Sequence, residues 1–353
     1  MAAVRGGGGG EDIDKTSAKR LLDSIGKIVH DQVKNGVAEK YKGELEGKLT
    51  DSSILDGELA AFSDTCELVQ EYYKHPNGGG HVSDKRYPCK GLSEINVERF
   101  SNKIGGQCTN EKMRSGGKGA CAPYRRLHLC HHNLESINTD KIDNTHKLLL
   151  EVCMAAKYEG ASLQGNHGKH QQTNEDSQLC TVLARSFADI GDIVRGKDLF
   201  YGNTQEKEQR KQLEKNLQNI FAKIYGELKD AKDRYGKDPN YYKLREDWWY
   251  ANRETVWKAL TCEVGGGTYF RPTCGSGTGT QGRCRCDGDQ VPTYFDYVPQ
   301  FLRWFEEWAE DFCRLRKHKL KDAKEQCRGK TKGEKYCSGN GFDCKETVRG
   351  NEH

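Results

Sequence analysis

Fifteen cysteines in a chain of 353 residues restrict the available folds more than any other feature. They are Cys66, Cys89, Cys108, Cys121, Cys130, Cys153, Cys180, Cys262, Cys274, Cys284, Cys286, Cys313, Cys327, Cys337 and Cys344, and no two stand at C-x-x-C spacing. Zinc ribbons, zinc fingers and thioredoxin-like redox sites are therefore poorly supported, and disulfides formed in an oxidising, extracellular setting are expected. All fifteen are disulfide candidates whose pairing cannot be read from sequence. The odd count leaves at least one thiol free or paired outside this chain. Composition explains the need for staples: 35% of residues are apolar, 31% are charged and mean hydropathy is −0.89, so the core is thin.

The opening MAAVRGGGGG has no apolar h-region, and residues 1–10 read as a disordered leader. No run approaches the roughly 18 apolar residues a membrane helix needs, and no Asn-x-Ser/Thr sequon is present. Oxidised cysteines without a secretory signal imply an unusual export route or a fragment of a larger membrane protein. The net charge of +4 is small against 56 basic and 52 acidic side chains, so polyanion binding must come from local clusters.

Helical periodicity organises the rest. Residues 244–262, LREDWWYANRETVWKALTC, carry three tryptophans and are apolar almost all round, with Asp247, Glu254 and Lys258 as a narrow polar strip. Such a helix belongs inside a bundle; a stacking platform for sugars or bases is the alternative. Residues 143–163 and 176–194 are two further helices separated by a polar Gly/His/Gln loop, and residues 205–235 form a long amphipathic helix with Leu213, Leu217, Ile220, Phe221, Ile224, Leu228, Ala231 and Tyr235 as its stripe. Near the N-terminus, Ala18, Leu21, Leu22, Ile25, Ile28, Val29 and Val33 share one face. Arg20, Lys27 and Lys34 lie opposite, which suggests a docked helix with a mostly basic outer side.

Two cysteine- and glycine-rich stretches, residues 73–130 and 262–292, read as disulfide-tied loops. In the first, Arg125 and Arg126 are expected to bond nearby carbonyls or carboxylates. His128, His131 and His132 beside Cys130 lack a second ligand pair, so a metal site is not supported. The Gly-x-Gly-x-Gly run of the second lacks a Walker lysine and a following helix. Arg185 and Asp189, spaced i,i+4, could pair or reach a neighbour, but no nucleophile, metal set or cofactor loop accompanies them. No cofactor is expected, and the chain does not read as an enzyme.

From Tyr294 a second architecture begins. Val298, Phe301, Leu302, Phe305, Trp308 and Phe312 form an apolar face, and Cys313, Leu320 and Cys327 are expected on a buried side. Beside them Arg314, Lys317, Lys321, Lys324 and Arg328 recur at i, i+3, i+7, i+10 and i+14. Between Arg314 and Lys335 stand ten basic and three acidic residues. A straight row of this kind suits a linear polyanion through counterion release, unless it merely covers the edge of the core with snorkelling side chains.

The motifs ACAPYRRLHLC, ARSFADIGDIVRGKDLFYGN, LREDWWYANRETVWKALTC and YVPQFLRWFEEWAEDFC resemble the Duffy-binding-like adhesion domains of malaria parasites. More narrowly, the chain is similar to the N-terminal segment plus alpha-type domain of the falciparum erythrocyte membrane protein one family. The resemblance implies an all-α fold: an N-terminal segment over residues 1–59, then a Duffy-binding-like domain over 60–345 and a tail over 346–353. That domain would comprise a loop-rich, disulfide-bonded part (60–140), a helical bundle (141–262) and a disulfide-clustered helical hairpin (263–345). It further implies an extracellular adhesive head, joined to a membrane only through a distant anchor of its parent. Its partners would be red-cell glycans or glycoprotein receptors: heparin or heparan-sulfate-like chains, blood-group sugars or complement receptor one, producing rosettes. The expected polyanion contact is Arg314, Lys317, Lys321, Lys324 and Arg328, joined by Arg20, Lys27 and Lys34. A rigid spacer and variable antigen is the competing reading. Nucleic acid conflicts with the disulfide framework.

Overall fold

In a computed structural model, residues 13–52, 64–74, 86–90, 99–101, 105–113, 120–267, 269, 283–286 and 290–328 are described, with only the backbone of residues 324–328. The leader at 1–10, the tail at 346–353, and Cys274, Cys327, Cys337 and Cys344 as side chains lie outside this set. The chain forms two compact units, residues 1–305 and 306–353.

The described elements are almost all helical. In chain order they are α1 Ala18–Val33, α2 Lys42–Leu45, α3 Thr65–Lys74, α4 Tyr124–Leu127, α5 His132–Glu135, α6 Thr145–Gln171, α7 Leu179–Arg195, α8 Thr204–Glu227, α9 Lys232–Tyr235, α10 Tyr242–Leu260 and α11 Gln300–Arg328. Two two-residue strands, β1 Gly106–Gln107 and β2 Ala122–Pro123, pair antiparallel ahead of α4. The all-α expectation holds.

The core of the first unit is built by α6, α7 and α10. Trp248, Trp249 and Trp257 of α10 are each 0% exposed, and each indole N–H finds an acceptor: Thr145 Oγ1 at 2.7 Å, Asp296 Oδ2 at 2.9 Å and the Cys284 carbonyl at 2.9 Å. Satisfying the polar edge removes the main cost of burying a tryptophan. Helices α6 and α10 touch backbone to backbone at Gly160, where a Cβ would stand 1.8 Å from the Leu260 carbonyl oxygen. All seventeen residues of α7 are buried, and α8 adds the stripe Leu213, Leu217, Ile220, Phe221 and Ile224.

Several boundaries differ from expectation. Helix α6 runs on through most of the polar stretch assigned to a loop, ending at Gln171. The 205–235 helix breaks at Leu228, whose extended backbone (φ −64°, ψ 146°) starts a turn into α9. Its stripe stays buried across the break at Leu228, Ala231 and Tyr235. Asp247 is buried, not on a solvent strip, because Tyr235 Oη and Arg234 Nε donate to its Oδ2 at 2.9 and 3.0 Å.

Four disulfides join described residues: Cys66–Cys262, Cys89–Cys130, Cys108–Cys121 and Cys180–Cys284. Cys286 is disulfide-bonded as well. The first ties the start of α3 to the end of α10 across 196 residues, and the fourth ties α7 to the segment beneath Trp257. Cys153 is instead a free thiol inside α6, and burial pushes its pKa up, away from reactivity. Cys313 is free and exposed.

Candidate functional site

Helix α1 docks chiefly through residues outside the apolar face its pattern suggests, although Leu22 of that face still packs against the core. Its inward residues are Asp23, Ser24 and Gly26, while Ile25 and Ile28 are 36% and 45% exposed. The reason is a polar anchor. Asp23, fully buried, accepts from the Tyr294 backbone N–H at 2.8 Å, Thr293 Oγ1 at 3.1 Å and Tyr269 Oη at 3.4 Å. Gly26 lies so close to the Tyr294 carbonyl that a Cβ would stand 2.2 Å from its oxygen. His30 lodges among Tyr250, Tyr294 and Tyr297, with ring centroids 5.0–5.6 Å apart. Burial and the nearby Arg253 charge lower its pKa.

The expected basic outer side is thereby corrected. Arg20 donates to Asp14 at 3.2 Å and Lys27 to Asp31 at 2.8 Å, both partly buried, and Lys34 is exposed past the end of the helix. The three cations thus form no open row along α1.

Beneath that docking site runs a lattice of buried charge. Arg253 grips Asp296 with two bonds of 2.8 Å. Arg195 donates to the Asp296 carbonyl at 2.6 Å and to Asp192 at 2.9 Å. Arg303 bridges Asp192 at 2.5 Å and Asp189 at 2.8 Å, and Arg125 reaches Asp189 at 2.7 Å. Gln300 and Trp304 also donate to Asp189, at 3.1 and 3.3 Å. Burial alone would raise the Asp189 carboxyl, but the Arg125 and Arg303 charges outweigh it and hold the pKa at about 2. Arg125 and Arg126 do meet carboxylates, yet on α7 and at Asp198, more than sixty residues along the chain.

This lattice decides which side of the first turn of α11 faces inward. Gln300, Arg303 and Trp304 are buried, whereas Phe301 and Phe305 are 51% and 73% exposed. In the second unit Phe312 and Leu320 are 67% and 43% exposed, and Cys313 is exposed too. The expected burial of the Phe301–Phe305–Phe312 face and of the Cys313 side is therefore corrected: charge pairing, not apolar spacing, orients the helix start.

Within the second unit α11 is unbroken to Arg328. Lys317 and Lys321 are exposed, and Arg314 bonds Asp311 one turn back at 3.1–3.2 Å. The side chains of Lys324 and Arg328 lie outside the described residues. Among the described residues no His/Cys/Asp/Glu group could hold a metal ion, and no helix is long and apolar enough to cross a membrane.

Three family descriptions match the chain in series: the N-terminal segments of PfEMP1 over residues 17–53, the Duffy binding domain over 119–303 and the Duffy-binding-like C-terminal subdomain over 307–353. The chain belongs to the Duffy-binding-like family. The solved NTS-DBL1(alpha-1) domain of PfEMP1 from the Plasmodium falciparum varO strain is 38% identical, with a TM-score of 0.70, over 93% of this chain and 68% of that one. A DBLβ domain of PfEMP1 bound to human ICAM-1 is 25% identical, with a TM-score of 0.65, over 92% of this chain and 68% of that one. The Duffy receptor of Plasmodium vivax is 23% identical over 279 residues, which are 73% of this chain and 22% of the receptor. The chain is thus an N-terminal segment plus Duffy-binding-like domain of the PfEMP1 family, related to receptor-binding adhesion domains. It spans about a fifth of the curated relative's length.

Proposed function

We propose that this domain is a host-cell adhesin, the extracellular head of a protein exported to the infected red-cell surface, and that it binds a heparan-sulfate-like polyanion along α11. Blood-group sugars and complement receptor one are the other ligands the family resemblance brings, and rosetting is the expected outcome. The observation that carries this reading is the exposure of Lys317 and Lys321 on one unbroken helix whose sequence places Arg314, Lys324 and Arg328 in the same arc of about 80°. At a rise of about 1.5 Å per residue, the row extends some ~21 Å along the axis, which matches a linear anionic chain better than a compact ligand. The related DBLβ domain that is bound to ICAM-1 supports the broader adhesive role.

The test is heparin affinity chromatography of the oxidised chain beside Lys317→Glu, Lys321→Glu and Lys324→Glu combined. Retention that falls steeply with salt in the parent and is largely lost in the variant is expected. Unchanged retention in a variant with unaltered circular dichroism rejects the site.

A further inference from the structure

Two of the four family motifs, those over residues 120–130 and 184–203, also meet around an open cavity of about 420 Å³ in the first unit, to which the adhesive row contributes no residue. Its floor is apolar, from Leu127, Leu129 and Phe200, and the α8 N-terminus forms one side. Lys90 and Lys112 line it, and neither ammonium has a hydrogen-bond or ion-pair partner among the described residues. The carboxylates present are already engaged. Glu135 lies between His131 at 2.9 Å and Arg210 at 3.2 Å, and Glu206 accepts from the Asn203 backbone in the capping box of α8 at 2.6 Å. Arg210 is itself buried and stays charged at neutral pH, its pKa lowered only to about 10 by burial and by Arg126.

His128 also lines the cavity. Its ring packs edge-on against Tyr124 and makes no hydrogen bond among the described residues, and burial lowers its pKa, so the neutral imidazole offers one donor and one acceptor to the cavity. The Gln209 amide lines the same space, with no hydrogen-bond partner among the described residues. Two ammonium groups, a neutral imidazole, an amide and an apolar floor together suit a ring that carries hydroxyls and one negative charge. The volume is at the small end of ligand sites, enough for one or two pyranose rings.

We propose that this cavity binds a single acidic sugar residue, its carboxylate or sulfate held by Lys90 and Lys112 and its hydroxyls by His128 and Gln209. The assignment deepens the glycan-binding reading above and rests on it for the choice of a sugar, but not for its location.

Ligand-observed NMR of the oxidised chain tests it, with methyl β-glucuronide as the carboxylate probe, a sulfated galactose as the sulfate probe and methyl β-glucoside as the neutral control. At least one acidic sugar should bind, the neutral one should not, and Lys90→Glu with Lys112→Glu should weaken binding about tenfold or more. Which acidic probe binds identifies the charged group. Should the double variant misfold, the His128 ring signals of the parent chain decide: they should move on addition of the bound sugar. Unchanged binding in a folded double variant, equal binding of the neutral glucoside, or an unmoved His128 overturns the proposal. So does a glutamate dipeptide that binds as well as the sugars, since the site would then be a peptide site. Reversing Lys317, Lys321 and Lys324 should leave the sugar signals intact. Failure of the α11 row in heparin chromatography and failure of this cavity are therefore read separately.

Discussion

Trp248 shows how a side chain that could serve as a binding platform becomes a structural one. It is fully buried, its indole N–H is bonded to Thr145, and its ring meets Phe221 edge-on at 5.9 Å between centroids. Trp248→Ala should destabilise the fold by about 3–5 kcal/mol, read as a shift in the urea midpoint at constant slope. Normal stability with lost ligand binding would restore the platform reading. Asp189 is the more unusual residue, since two arginines, a glutamine and an indole converge on one buried carboxylate. Asp189→Asn removes the carboxylate charge that faces Arg125 and leaves Arg303 with Asp192 alone, and should cost about 3–5 kcal/mol. The sign of its pH dependence follows from the depressed pKa. The stabilisation is fully present above the ordinary carboxylate value near ~4 and disappears as pH falls through about 2. The stability gap between parent and variant should narrow over that window; a gap that widens in acid contradicts the assignment.

At the scale of elements, α1 and α11 depart most from what their sequences suggest, for one shared reason. Both have strong apolar stripes, yet both are held by polar residues: α1 by Asp23 and its close approach at Gly26, the first turn of α11 by Gln300, Arg303 and Trp304 on α7 carboxylates. Gly26→Val should therefore detach α1 while leaving α6, α7 and α10 folded, at a cost of about 1–3 kcal/mol. Hydrogen exchange should rise across residues 18–33 and not in the Trp-rich helix; uniform protection would show that the contact at Gly26 does not hold the segment. Helices α7, α8 and α10 were legible in advance because their apolar residues repeat near 3.6 and the repeating face is the buried one. Nothing in local periodicity marks Asp23 as an anchor or pairs Arg303 with Asp189, 114 positions away. Disulfide partners such as Cys66 and Cys262 were hidden for the same reason: spacing along the chain carries no information about contacts made across 196 residues.

At the scale of the whole molecule, burial and charge are spent on different tasks. Tryptophans, buried arginine–carboxylate pairs and disulfides fix the scaffold of the first unit, although 35% apolar content alone promises a thin core. Lys317 and Lys321 stand exposed on α11, outside that scaffold. The basic row can be read from sequence because it is a local pattern on one helix, whereas the cavity lined by Lys90, Lys112 and His128 cannot, since four separate stretches of chain build it. The central claim is that the domain itself adheres through polyanion contact and does not merely space or mask other domains. The most direct measurement is red-cell binding by the isolated, fully oxidised chain, followed by flow cytometry with increasing soluble heparin. The account predicts binding that heparin competes away and that the Lys317, Lys321 and Lys324 reversals largely abolish. A correctly oxidised chain that does not bind red cells, or that binds them indifferently to heparin, contradicts it.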